Sequence, residues 1–332
     1  MQGRARWRAA VLLVVAALLE IGCSREPAPA PRVPVTVQLK WFHQAQFAGF
    51  YVAADRGYYA AEGLAVDLVP GGPQVDVLDR VAKGEAQFGV SAPEDILVAR
   101  GRGSDVVALA ALFRKNPSVF ITLAGSGIET PRDFLGKTIS FMGRDDRVRF
   151  LVIMKRLGLD PRKVREVPYE YDYQSFLRGD TAVTIGYTTG GVLRLRKQGH
   201  ALRLIWPDDY GVHVYSDTLV AREALCAAKP DLVARFLRAA LRGWREAVED
   251  PAAAVEATLR RAKEPDRALQ TAMMEASGPL LHTGEGPVGS MQPAVWNQTA
   301  RMLVDQGLLP VGTDARRAYT LEFLRRVYAE AK

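Results

Sequence analysis

The stretch AQFGVSAPEDILVARGRG, residues 86–103, decides the fold. AQFGV is an apolar run of strand length, and the segment after it carries Leu97 and Val98 on one helical face with Gly101 at the exit. Ser91 and Glu94 stand at the S-x-x-E spacing of a capping box, which predicts a helix starting directly behind the strand. Open α/β sheets take ligands where a strand runs into a helix N-terminus, so Ser91 and Glu94 are candidate binding residues.

The same alternation extends outward on both sides. VTVQL (35–39), LAVDLV (64–69) and VVALAAL (106–112) read as strands, separated by helical spacing and by glycine stops at Gly57, Gly63, Gly84 and Gly101. This pattern predicts α/β layering around a mostly parallel sheet. After SVFITLAGSGI (118–128) it restarts: ETPRDFLG offers Thr130 as N-cap with Pro131 at the first helical position, KTISFMG is a strand, and RDDRVRFLVIMKRLGL is a helix ending at Gly158. VREVPY and AVTIGY repeat the strand theme, TTGGVLRLRKQG (188–199) is helical, and RLIWPDDYGVHVYSDTLVAR (203–222) returns the chain. Two lobes are expected, residues 33–123 with 213–332 and residues 124–212, joined by two extended crossings and hinged about a cleft. The C-terminal part is helical, with Leu232, Phe236, Leu237, Ala240, Leu241, Trp244 and Val248 on one apolar face. Trp244 and Trp296 are read as packing residues.

The N-terminus reads as an export segment. Arg4, Arg6 and Arg8 precede the apolar run 9–19, which is too short for an ordinary membrane span, and EIGC (20–23) ends it. EIGC resembles a bacterial lipobox, which makes residues 1–22 a signal peptide and Cys23 a lipidated N-terminus, although Glu20 stands where such motifs usually carry leucine. REPAPAPRVP (25–34) is too proline-rich for helix or sheet and reads as a tether, roughly 30 Å long at ~3.1 Å per residue. The chain carries a net charge of +7, and loss of residues 1–22 removes three arginines and one glutamate to leave +5. Basic and acidic residues are interspersed throughout, which argues against a nucleic-acid partner. Cys226 is the only cysteine besides Cys23, so lipidation at Cys23 would preclude an intrachain disulfide.

WFHQAQFAGFYVAADRGYYAAEGL (41–64) follows the first strand with seven aromatic rings. Trp41, Phe42, His43, Gln44 and Gln46 mix rings with polar groups as ligand pockets do, whereas Phe50, Tyr51, Tyr58 and Tyr59 fall on a helix and are assigned to packing. The four histidines, His43, His200, His213 and His282, form no metal-ligand spacing, and no nucleophile or phosphate-loop motif occurs. Neither a metal, a cofactor nor a catalytic set is expected.

LKWFHQAQFAGFYVAADRGYYAAEGL, GGPQVDVLDRVAKGEAQFGVSAPEDILVARGRG, SGIETPRDFLGKTISF and DYGVHVYSDTLVARE together resemble the bacterial solute-binding proteins grouped with thiamine pyrimidine synthase, over about residues 33–310. The resemblance implies a type II periplasmic-binding-protein fold. It further implies a monomer, exported to the periplasm or the outer face of the membrane, that delivers a small heteroaromatic solute to an ABC permease and ATPase. The cargo would be a thiamine pyrimidine precursor, with riboflavin or a sulfonate as alternatives. The expected ligand-binding set is Trp41 and Phe42 for stacking, His43 and Gln46 for hydrogen bonding, and Phe47, Ser91, Glu94, Arg144, Tyr187 and Thr188.

Two departures from the family pattern bear on chemistry. Where pyrimidine binders read Tyr-x-Thr-Asn-Glu-Pro, this chain has Tyr187, Thr188, Thr189, Gly190, Gly191 and Val192, so the carboxylate is replaced by bare backbone that favours an acceptor or anion. Residues 124–212 carry 15 basic and 11 acidic side chains, which leans the same way. The synthase reading, in which an enzyme consumes one of its own histidines and handles iron with a cysteine-rich motif, meets Phe47 at the histidine's place and no cysteine cluster. A binding protein is therefore expected, not an enzyme.

Lipid anchoring is testable directly: the intact protein should fractionate with membranes, and Cys23→Ala should leave it soluble or uncleaved. Recovery of the unsubstituted protein from the soluble periplasmic fraction, with residue 23 unmodified, would show the lipobox to be idle.

Overall fold

A computed structural model describes residues 31–330. The expected signal segment, Cys23 and the tether up to residue 30 lie outside the described residues. Alternating valines make β1 (Val33–Gln38), whose Val35 and Val37 are buried. Short helices α1 (Ala48–Asp55) and α2 (Tyr58–Ala61) lead to β2 (Leu64–Val69), and α3 (Val77–Lys83) leads to β3 (Phe88–Ser91). Next come α4 (Pro93–Gly101), β4 (Val106–Ala111), β5 (Ser118–Leu123), β6 (Thr138–Ser140), α5 (Arg144–Arg156) and β7 (Arg165–Val167). They are followed by α6 (Gln174–Leu177), β8 (Thr184–Tyr187), α7 (Gly191–Lys197), β9 (Leu202–Ile205) and β10 (Thr218–Arg222). Six helices close the described residues: α8 (Glu223–Ala228), α9 (Pro230–Glu249), α10 (Pro251–Leu259), α11 (Arg267–Leu281), α12 (Pro293–Asp305) and α13 (Glu322–Glu330).

The first lobe holds a five-stranded sheet in the order β2-β1-β3-β10-β4. β1 runs parallel to β2 and β3, but β10, returning from the second lobe, inserts antiparallel between β3 and β4. The sheet is thus less uniformly parallel than the strand pattern predicts, because a returning strand enters from the opposite end. Pro34, assigned to the tether, is already in β1. Its neighbour Val33 donates to Gly63 on the β2 side, so the missing N–H of Pro34 falls on the side where β1 does not yet pair with β3. The second lobe centres on the antiparallel sheet β8-β5-β9 with the small parallel pair β6-β7 beside it. β5, grouped with the first lobe on sequence, pairs only here, so the second sheet starts at Ser118.

The expected capping box on α4 does not form. Pro93 occupies the first helical position, which makes Ala92 the N-cap, and Ser91 stays in the ladder opposite Thr218. Thr130 and Asp133 do form a reciprocal box, on a single 3-10 turn over Pro131–Phe134.

The core of the first lobe depends on close contact between α1 and α9. A Cβ on Gly49 would lie 2.1 Å from the Trp244 ring, and one on Gly243 would lie 2.3 Å from the Gly49 carbonyl. These two glycines let the helices touch, and Trp244 fills the contact edge-on to Phe50 at 5.5 Å. Phe236 of α9 stacks on Phe88 of β3 at 3.9 Å, fixing the helix to the sheet. Trp296 is equally buried and stacks on Tyr319. Trp244→Ala should lower unfolding free energy by ~3–5 kcal/mol in urea titration. Gly49→Ala, which adds one methyl group, should also destabilise markedly; an unchanged midpoint would mean the helices can separate at no cost.

Candidate functional site

The chain leaves β1 at Leu39 and enters the space between the lobes as Lys40, Trp41 and Phe42. Gly71 makes that exit possible, since a Cβ there would sit 2.2 Å from the Leu39 carbonyl. The cavity takes one wall from Lys40, Trp41, Gln44 and Gln46 of the first lobe. The other wall is Met142, Tyr169, Tyr171, Tyr173, Gly186, Tyr187, Gly190, Gly191 and Arg194 of the second. Trp41, Phe42 and Tyr171 form a tilted cluster with centroids 5.3–5.8 Å apart, so rings from both lobes meet at the cavity edge.

A directional chain of hydrogen bonds runs along the walls. Arg194 Nη2 donates to Gln44 Oε1 at 2.9 Å, Gln44 Nε2 donates to Gln46 Oε1 at 2.6 Å, and Gln46 Nε2 donates to Asp217 Oδ2 at 2.6 Å. Asp217 Oδ1 lies 3.5 Å from Lys40 Nζ, which donates to the Tyr187 hydroxyl at 3.1 Å. Tyr187 is in turn 2.7 Å from Ser216 Oγ. Burial pulls the Lys40 pKa down, but the Asp217 and Asp145 charges and the hydrogen bond to Tyr187 outweigh it and hold the ammonium well above its usual range. Burial pushes the Tyr187 phenol up, so it stays protonated. On one flank Arg194 Nε and the Tyr171 hydroxyl both reach Glu264, at 3.0 and 2.9 Å, and Lys197 pairs with Asp266. These contacts tie the second lobe to the segment before α11.

Tyr173 stands apart in its backbone. Among the described residues it is the only non-glycine with positive φ, at 59°, a conformation that costs about 1–3 kcal/mol where the fold enforces it. Its hydroxyl accepts from Tyr169 at 3.2 Å.

A wider compartment adjoins the cavity across Lys40, Trp41 and Met142, lined by Gly72–Val77, Ser91, Asp95, Arg144 and Asp145 among others. Behind it the buried Arg149 guanidinium binds Glu94, Asp145 and Asp146 at 2.6, 2.8 and 2.6 Å, and Ser118 Oγ donates to Asp146 at 2.7 Å. Three carboxylates face one guanidinium. Burial raises Glu94 to about 6, and burial with the nearby Asp145 and Glu94 charges raises Asp95 to about 7.

Of the residues expected on sequence, Trp41, Gln46 and Tyr187 come together in the cavity, and Ser91 and Arg144 line the adjoining compartment. The other five do not line either space. Phe47 is fully buried in the core, and His43 turns its Nδ1 to the Tyr51 hydroxyl at 2.9 Å. Phe42 packs beneath Lys263 and against Gly72. Glu94 is held behind the compartment by Arg149, and Thr188 is tied through its N–H to the Pro117 carbonyl. Sequence reading passed over Lys40, Met142, Arg194, Asp217 and the alternating tyrosines of YEYDY (169–173); only that last triplet carried a local signal.

The two-lobed architecture is that of the periplasmic-binding-protein fold. The chain belongs to the NMT1/THI5 like family, whose model matches residues 44–254. It is 28% identical over 314 residues to the riboflavin-binding protein RibY of Chloroflexus aurantiacus, covering 90% of this chain and 89% of that relative. To the formylaminopyrimidine-binding protein of Halalkalibacterium halodurans it is 27% identical over 303 residues, covering 88% and 92%. The ligand-binding component of an ABC-type import system from Staphylococcus aureus superposes with a TM-score of 0.70 at 13% identity, over 89% of this chain and 99% of that one.

The carboxyl cluster sets a pH dependence. A carboxyl whose folded pKa is raised binds its proton more tightly in the native state, so its contribution to stability is full at low pH and is lost as pH rises through the folded value. For Asp95 that loss runs from about 4 up to about 7. Asp95→Asn should therefore flatten the fall in melting temperature across this range relative to the unsubstituted protein; parallel profiles would mean Asp95 titrates as an exposed carboxyl.

Proposed function

We propose that the protein is an exported solute-binding protein that captures a small heteroaromatic molecule in the cleft and presents it to an ABC permease and ATPase. The observation that carries this reading is that the two cavity walls belong to different lobes and are joined directly, through Arg194 to Gln44 and Tyr187 to Lys40. Occupancy and closure are then one event, which is what a delivery protein needs. Trp41 and Tyr171 supply ring faces from opposite lobes for a flat ligand. A pyrimidine or a flavin fits this lining better than a sulfonate, since Lys40 and Arg194 are already matched by Asp217 and Glu264. Synthase chemistry lacks its histidine here: Phe47 takes that place and is buried in the core. Residues 1–22 act in export, and Cys23 anchors the protein by lipid on the outer side of the membrane as a monomer.

The test is titration with riboflavin, an aminopyrimidine and an alkanesulfonate, followed by small-angle scattering. A heteroaromatic probe should bind and reduce the radius of gyration. Trp41→Ala should weaken that binding by at least ~1 kcal/mol, roughly five-fold, with an unchanged melting temperature. Binding of the sulfonate alone, or binding without contraction, would sink the proposal.

A further inference from the structure

Tyr173 combines two features that serve its hydroxyl. Its backbone is left-handed, at φ 59° and ψ 19°, in a loop fixed by two carboxylates: Asp172 accepts from the Gln174 N–H at 3.3 Å and Glu170 from the Ser175 N–H at 2.7 Å. The ring thereby brings its oxygen to where a Cβ on Gly191 would be 2.0 Å away and one on Gly186 2.8 Å away. A strained backbone and two glycines are thus committed to the placement of one phenol, a pattern that marks function.

The rest of the wall has little hydrogen-bonding capacity left. Gln44, Gln46, Tyr187 and Lys40 are engaged with one another and with Asp217, and Glu264 is taken by Arg194 and Tyr171. Several wall donors lack an acceptor among the described residues, the Trp41 indole N–H among them, and two side-chain donors of this kind lie close together. One is the hydrogen of the Tyr173 hydroxyl, whose oxygen already accepts from Tyr169. The other is Arg194 Nη1, 4.0 Å from where a Cβ on Gly190 would stand. Both lie at the Gly190–Gly191 edge, and the nearby carboxylates Asp217 and Glu264 are already turned to Gln46, Lys40, Arg194 and Tyr171. An amino group at this edge would face two donors and find, among the described residues, only the Tyr169 hydroxyl oxygen to accept from it, whereas a ring carbonyl would accept from both donors.

We propose that Tyr173 is the specificity-determining residue of the cleft: with Arg194 it selects heteroaromatics that present a carbonyl acceptor at the Gly190–Gly191 edge and rejects those that present an amino group. This rests on the solute-binding reading above and narrows its substrate class.

The test titrates the full chain with three probes: riboflavin, an aminopyrimidine, and the oxopyrimidine that differs from it only in that exocyclic group. A carbonyl probe should bind at least about ten-fold more tightly than the aminopyrimidine. Tyr173→Phe, which keeps the ring, should bring the two within about three-fold at an unchanged melting temperature. Gly191→Ala, whose methyl group displaces the hydroxyl, should do the same as a second, independent variant. Tighter or equal binding of the aminopyrimidine overturns this proposal and leaves the solute-binding reading standing, as does a preference that survives in Tyr173→Phe. Failure of all three probes to bind the unsubstituted protein overturns both.

Discussion

Asp217 is the group on which the cleft depends. It lies in the second crossing just before β10, and its backbone carbonyl accepts from Leu112 at 2.8 Å and Phe113 at 3.1 Å in the first crossing. The two connections between the lobes are therefore bound to each other at one residue. The side chain, 1% exposed, holds Gln46 with one oxygen and faces Lys40 with the other. A carboxylate removed from water is tolerated only with a countercharge and donors for its lone pairs. Asp217 has both, and they come from the segment that forms the first-lobe wall. Hinge and binding surface are thus fixed by the same charge.

The second buried charge group, around Arg149, is built on a different balance. Arg149 and its two carboxylates Asp145 and Asp146 come from α5 in the second lobe, and Glu94 comes from α4 in the first. One oxygen each of Glu94 and Asp146 and the Arg149 Nε lack partners among the described residues. Excess carboxylate in a dry site favours proton uptake, which explains why Glu94 rises while Asp145, beside Arg149 and Lys40, is held low despite burial. Asp95, half-buried at the compartment wall, is raised by burial and by the Asp145 and Glu94 charges. The lobes therefore meet through charge on this side and through rings and amides in the cavity. Neither contact resembles the apolar α1–α9 packing inside the first lobe.

Much of the architecture was legible in the sequence. Strands at 64–69 and 106–111, the helix from Arg144 with its left-handed Gly158 beyond the end, and the packing role of Trp244 and Trp296 all follow from local period and punctuation. The capping box at Ser91 was misread because a proline two positions later overrides the S-x-x-E spacing by fixing where the helix starts. His43 and Phe47 sit among cavity-lining residues in sequence, yet a 3-10 turn over Ala45–Phe47 sends Gln46 to Asp217 while Phe47 turns into the core.

The sequence by itself determined the order and type of the elements, the layering, and the segment from which one wall of the cleft is made. Those properties depend on periodicity within a dozen residues, and side-chain period is a local quantity. What faces that wall was decided only by tertiary structure. Lys40 meets Tyr187 across 147 positions and Gln46 meets Asp217 across 171. Such pairings are set by how two sheets and two crossings place their ends in space. No spacing rule reaches that far, so Arg194, Asp217 and the glycine-seated Tyr173 came to the cleft only once the lobes faced each other.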